Sequence, residues 1–162
     1  MFDIFDYVTE KNLKIDIIWN KSAKRWMLDN QQFVNDDDTI LLYFTKGSFE
    51  GYHYEFQDKD QNLHNSNGPA AISPDHIEWC IHGRRHRDNA PAFKSNNSEK
   101  WYVNGKLHRE NGPAMTYFNI CEYWYINDKN ITDEVKEWLT ENNINWKNMT
   151  NEHLIEFKLK FL

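Results

Sequence analysis

Along most of the chain, apolar residues alternate with polar ones in short runs, and Gly, Pro and Asn break those runs at regular intervals. Alternation with a period of two sends successive side chains to opposite faces of a strand, so the pattern predicts many short β-strands. Ala114-Met-Thr-Tyr-Phe118 and Glu122-Tyr-Trp-Tyr-Ile126 are two of them. Only beyond residue 131 does the spacing change. There Val135, Trp138 and Leu139 share one helical face behind Thr132, a candidate cap, with Asp133 and Glu134 at the positive end. Thr150 is a candidate cap for a second helix, with Met149 placed to staple Leu154, although residues 157–161 also alternate like a strand.

The breaks themselves repeat. His64-Asn-Ser-Asn-Gly-Pro-Ala70, His86-Arg-Asp-Asn-Ala-Pro-Ala92 and His108-Arg-Glu-Asn-Gly-Pro-Ala114 align with a period of 22 residues. A second motif keeps phase with the first: Trp79-Cys-Ile-His-Gly83, Trp101-Tyr-Val-Asn-Gly105 and, one residue late, Trp124-Tyr-Ile-Asn-Asp128. His82-Gly83 and Asn104-Gly105 sit where a two-residue hairpin turn requires positive φ, and Asn127-Asp128 is a weaker version. Asn111-Gly112-Pro113 reads as a further turn, with the glycine expected at positive φ. On strand geometry Trp79 shares a side with Ile81, Trp101 with Val103 and Trp124 with Ile126, which predicts a tryptophan ladder on one face. Cys80, Tyr102 and Tyr125 then occupy the other. The expected fold is mainly β, an antiparallel meander growing by one hairpin per 22-residue unit, closed by a short C-terminal helical cap.

The consensus Trp-Tyr-x-Asn-Gly-Lys-x-His-Arg-x-x-Gly-Pro-Ala resembles the tandem hairpin repeat of many tailed-phage and giant-virus proteins, and is loosely similar to MORN-type repeats. The resemblance covers roughly residues 54–162. It implies a viral accessory protein and says almost nothing about activity. Unit one departs from the consensus at Asn65, in place of Arg, and unit two at Ala90, in place of Gly.

A length of 162 residues suits one compact domain: residues 1–50 as strands extending or capping the sheet, 51–130 as the repeats and 131–162 as the cap. Strand-like runs at 13–19, 25–28 and 39–45 support the first assignment, with a solvated turn at 36–38. The aromatic share of 15%, from 7 Trp, 8 Tyr and 10 Phe, strengthens the case for sheet. Two cysteines, Cys80 and Cys121, are too few for a disulfide framework and lack metal-ligand spacing. The first residues have neither a basic nor an apolar targeting region, so a cytoplasmic protein away from membranes is expected.

Net charge is −6, yet residues 62–114 hold seven Lys and Arg against five Asp and Glu, together with five of the seven histidines. His64, His86 and His108, with Arg87 and Arg109, suit either of two roles: holding an anion, or bracing loop carbonyls within each unit. Bracing is the simpler reading, because a position repeated in every unit is one that builds the unit. Equivalent histidines two strands apart are too distant to share a zinc ion. Nucleophile-elbow, phosphate-loop and zinc-protease motifs are all missing, and a small hydrolase or nuclease would have to be assembled from groups such as His86, Asp88 and Glu110. A non-catalytic binding protein is therefore expected, with no cofactor and no metal. Its contacts are assigned to Arg84, Arg85, His86, Arg87, Tyr102, His108, Arg109 and Tyr125, and its partner to a host protein or defence-related molecule. Nucleic acid is the alternative ligand, since Trp, Tyr and Arg interleaved on a sheet suit base stacking and phosphate contact.

Overall fold

The computed structural model describes residues 52–73 and 75–162, with side chains from Glu55 onward, and the backbone of four earlier strands. Those four are β1 (Ile17–Asn20), β2 (Arg25–Leu28), β3 (Phe33–Val34) and β4 (Thr39–Lys46). The turn expected at 36–38 and the start of the first strand-like run, 13–16, lie outside the described residues.

From β5 onward thirteen strands follow, in two kinds of hairpin. A meander runs through β5 (Tyr52–Gln57), β6 (Ala71–Ile72), β7 (His76–Glu78), β10 (Phe93–Ser95), β11 (Ser98–Lys100), β14 (Met115–Tyr117) and β15 (Cys121–Tyr123), each antiparallel to the next. Short hairpins branch from it: β8 (Cys80–Ile81) with β9 (Arg84–Arg85), β12 (Tyr102–Val103) with β13 (Lys106–Leu107), and β16 (Tyr125–Ile126) with β17 (Lys129–Asn130). Each unit thus contributes two hairpins to the fold, where the sequence pattern suggested one. The strand breaks at Trp79 and Trp101, because the backbone N–H of each is drawn to a loop carbonyl of the following unit: Trp79 to Ala92 at 2.8 Å and Trp101 to Ala114 at 2.7 Å.

The hairpin turns form as their residues dictate. His82, Asn104 and Asn127 take φ of 45°, 52° and 51°, followed by Gly83, Gly105 and Asp128 at 74°, 84° and 68°. Both central residues at positive φ is the geometry that matches strand twist, and Asn and Gly tolerate it best. Gly112 does not have positive φ; its role is room. A Cβ there would lie 2.9 Å from the Arg109 guanidinium carbon. The late arrival of Trp124 also has a local cause. Three residues, Phe118, Asn119 and Ile120, separate β14 from β15, whereas Asn96 and Asn97 suffice between β10 and β11.

A fourth unit is present that the tryptophan spacing conceals. Phe56 occupies the tryptophan position, donating its N–H to the Ala70 carbonyl at 2.7 Å, and Gln61 takes the left-handed turn with φ of 64°. Ala70, Ala92 and Ala114 are completely buried at the same place in successive units, which leaves no space for a larger side chain.

The expected tryptophan ladder does not form. Trp79 and Trp101 are each covered by an arginine of the following unit, while Trp124 turns into the main apolar core. That core lies under the last hairpin and is made by Trp124, Ile126, Ile131, Val135, Trp138 and Phe157. Helices α1 (Thr132–Glu141) and α2 (Asn151–Phe161) supply its far side, so the chain does end in a helical cap. Residues 157–161 are helical. Thr150 caps α2 in a reciprocal box, accepting from the His153 N–H while His153 Nδ1 accepts from its own N–H. Thr132, by contrast, does not cap α1, whose N-cap is Ile131. Its hydroxyl accepts the buried Trp124 N–H at 3.0 Å, taking the place that the next unit's alanine carbonyl would fill. Among the described residues no helix is long and apolar enough to cross a membrane.

Candidate interaction face

Three imidazoles make one repeated joint. The Nδ1 atoms of His64, His86 and His108 accept the backbone N–H of His82, Asn104 and Asn127 at 3.0, 3.1 and 3.3 Å, each donor being the first turn residue of the following hairpin. Accepting at Nδ1 places the ring proton on Nε2, which faces Asp88 from His86 at 3.5 Å and Glu110 from His108 at 3.4 Å. At the first joint the rings of His64 and His82 stack at 4.2 Å, and His82 Nδ1 lies 3.0 Å from the buried Asp58 carboxylate.

The arginines following those histidines are equally internal. Arg87 lies over the Trp79 ring at 3.7 Å and donates to the Pro91 carbonyl at 3.3 Å. Arg109 lies over Trp101 at 3.8 Å and donates to the Pro113 carbonyl at 3.2 Å and to Asn111 Oδ1 at 3.0 Å. Burial lowers the pKa of both guanidinium groups below the usual arginine value. Asn65 fulfils the loop-bonding half of this role in unit one, its Nδ2 donating to the Pro69 carbonyl at 2.9 Å. Arg85 is fixed by a two-point pairing with Glu78, at 2.8 and 3.1 Å. Cys80 also leans on Glu78, at 3.2 Å; burial and then that carboxylate push its thiol well above the ordinary range.

Of the eight residues assigned to binding from sequence, His86, Arg87, His108 and Arg109 therefore hold the repeat together, and Arg85 is paired within it. Arg84 is exposed on the second strand of its hairpin, and Tyr102 and Tyr125 are half-buried on the first strands of theirs. Tyr102 lies 5.4 Å from the Arg85 guanidinium and its carbonyl accepts the Arg87 N–H at 3.4 Å, and the Tyr125 carbonyl accepts the Arg109 N–H at 3.2 Å.

Ladder register assembles a different surface. Partners across a ladder share a face, so Ala71, Glu78, Phe93, Lys100, Met115 and Tyr123 form one row across the sheet. Ser98, Tyr117 and Cys121 make a parallel row on the same side. Ile77, Lys94, Glu99, Thr116 and Glu122 line the reverse, where Lys94 pairs with Glu99 at 2.9 Å and the Trp146 indole donates to Glu122 at 2.8 Å.

The first face changes character along the stack. At the three corresponding places on the face, unit one carries Ala71, Glu78 and Cys80, all buried; unit two carries Phe93, Lys100 and Tyr102; unit three carries Met115, Tyr123 and Tyr125. In the later two units these side chains are half-buried. The Lys100 ammonium sits 5.2 Å from the Phe93 ring and 5.9 Å from that of Tyr117, and Arg85 reaches Phe93 and Tyr102 at 5.5 and 5.4 Å. The Cys121 thiol, with Tyr125 and Tyr117 close by, raises the pKa of the Tyr123 phenol.

No family model, curated protein or solved structure matches this chain.

The units therefore have to serve as one another's comparison. Positions that recur, the His, the Trp and the Pro-Ala pair, are bonded into the stack. Positions that vary lie on the aromatic face. Phe93, Lys100, Met115, Tyr117 and Tyr123 escape a search for repeated residues for that very reason; reading the variable columns of the aligned units is the signal that finds them.

Proposed function

We propose that the protein is a non-catalytic binding platform, acting in the cytoplasm, whose aromatic face docks a partner protein. One observation carries this reading: Phe93, Met115, Tyr117 and Tyr123 lie half-buried on a single face of the meander, in columns the repeat does not fix, and Arg85, over both Phe93 and Tyr102, brings a branch-hairpin tyrosine beside them. Rigid aromatics and Met with a flanking cation are the composition of interface centres, where large contact area is gained at small entropic cost. The likeness of the repeat to hairpin proteins of tailed phages and giant viruses favours a host protein, or a molecule of host defence, as that partner.

The test is a pair of pull-downs from host lysate, one with the native chain and one with Tyr117→Ala/Tyr123→Ala, after circular dichroism has established that both fold. A partner recovered in stoichiometric amount by the native chain and lost with the variant supports the reading. Equal recovery by both, or no stoichiometric partner, defeats it.

A further inference from the structure

The branch hairpins carry a second feature, on the side away from the tyrosines. Arg84, Lys106 and Lys129 occupy the same place in β9, β13 and β17, and all three are exposed. They stand opposite Ile81, Val103 and Ile126 in their ladders, so in each hairpin the cation shares a face with a β-branched residue, of which Ile126 is buried in the core. Tyr102 and Tyr125 alternate onto the other face.

The hairpins stack directly. The Gly105 N–H donates to the Arg85 carbonyl at 2.8 Å and the Asp128 N–H to the Leu107 carbonyl at 2.9 Å, while a Cβ on Gly105 would lie 3.5 Å from that of Arg84. Equivalent side chains therefore follow one another in single file, about 10 Å apart for a repeat of two strands. Among the described residues none of the three cations has an ion-pair partner. Asp128, the acid of the last hairpin turn, accepts the Leu107 N–H at 2.7 Å. The file stops at the unit of Phe56, where Asn62 replaces the cation and bonds Asp58. In a chain of net charge −6 this is a local exception.

We propose that this file binds an extended acidic segment of the partner protein with a carboxylate at every third residue. The inference rests on the binding-platform reading and adds the chemistry of what is bound. An extended polyproline-type strand rises ~3.1 Å per residue with three residues per turn, so carboxylates at i, i+3 and i+6 lie on one side about 9 Å apart and match the cations. Nucleic acid fits less well: its phosphates recur at about 3.4 Å of rise along a strand, far more closely than the cations.

The experiment measures anisotropy of a fluorescein-labelled peptide of Glu-Pro-Pro repeats against the full chain, beside a composition-matched peptide with its glutamates bunched at one end and a labelled oligothymidylate. The spaced peptide is expected to bind at least about fivefold more tightly than the bunched one. Its binding should weaken about tenfold between roughly 50 and 500 mM salt, where exposed charges are screened. Arg84→Ala, Lys106→Ala and Lys129→Ala should each weaken it about threefold, as single exposed contacts do, and the triple variant should abolish it with an unchanged melting curve. Equal binding of both peptides, full binding by the triple variant, or tighter binding of the oligothymidylate overturns the proposal. Tyr117→Ala/Tyr123→Ala separates the two readings, because it should leave peptide binding intact while removing capture of the partner.

Discussion

His86 reaches from one branch hairpin to the next: its Nδ1 accepts the backbone N–H of Asn104, 3.1 Å away and 18 residues later in the chain. The same bond recurs from His64 to His82 and from His108 to Asn127, so the most eye-catching side chains of the repeat are mortar between successive hairpins.

Burial ranks these joints. His64 is only 3% exposed and also stacks on His82, whereas the joint at Asn104 is open to water, which can replace the lost acceptor. His64→Ala should therefore cost about 2 kcal/mol and His86→Ala about 1 kcal/mol or less, as read from urea unfolding midpoints. A larger loss at His86 would contradict the ranking.

The flat stacking of Arg109 on Trp101, combined with its bond to the Pro113 carbonyl, uses the shape of the guanidinium as well as its charge. Lysine keeps the charge and loses both contacts. Arg109→Lys and Arg109→Ala should thus destabilise by similar amounts, about 1–2 kcal/mol, and Trp101 emission should shift to the red in both. Full stability of the lysine variant would show that charge alone matters.

Thr132 is the stack's terminator. Thr132→Val preserves shape but leaves the buried Trp124 N–H without an acceptor, at a cost of about 1–3 kcal/mol, and Thr132→Ser should restore most of it. Thermal melting of the three proteins checks this, and a valine variant as stable as the serine one would rule it out.

Acid should loosen the first joint through Asp58. Burial pushes this carboxyl's pKa upward, but hydrogen bonds from His82, Asn62 and Asp60 outweigh that and hold it below the ordinary value. A depressed folded-state pKa adds stability that is present above the unfolded carboxyl value of about 3.9 and is lost as pH falls through the folded one. Between neutral pH and pH 3 the native chain should therefore lose more stability than Asp58→Asn does. Parallel curves for the two proteins would exclude the mechanism.

Much of the fold can be read from sequence because the repeat exposes its own rules. His82-Gly83 and Asn104-Gly105 announce their turns through the φ they permit, and α2 announces itself through Thr150. What stays hidden depends on three-dimensional partners. The breaks at Trp79 and Trp101 arise from an alanine carbonyl 13 residues away, which alternation within a strand does not announce. Phe56 is invisible to a search for tryptophan. Thr132 looks like a helix cap because Asp133 and Glu134 follow it, yet the demand of Trp124 for an acceptor wins. For the candidate site, charge and repetition draw attention to Arg87 and Arg109, whose environments are internal, and away from Phe93 and Tyr123, which only ladder register unites.

The Thr132 hydroxyl has one further consequence. By satisfying the last tryptophan of the repeats, it seals the growing end of the array, so extra copies of the 22-residue module can be spliced only upstream. Lengthening the array there would widen the aromatic strip and prolong the line of cations in fixed steps, while the helical terminus and its core remain as they are.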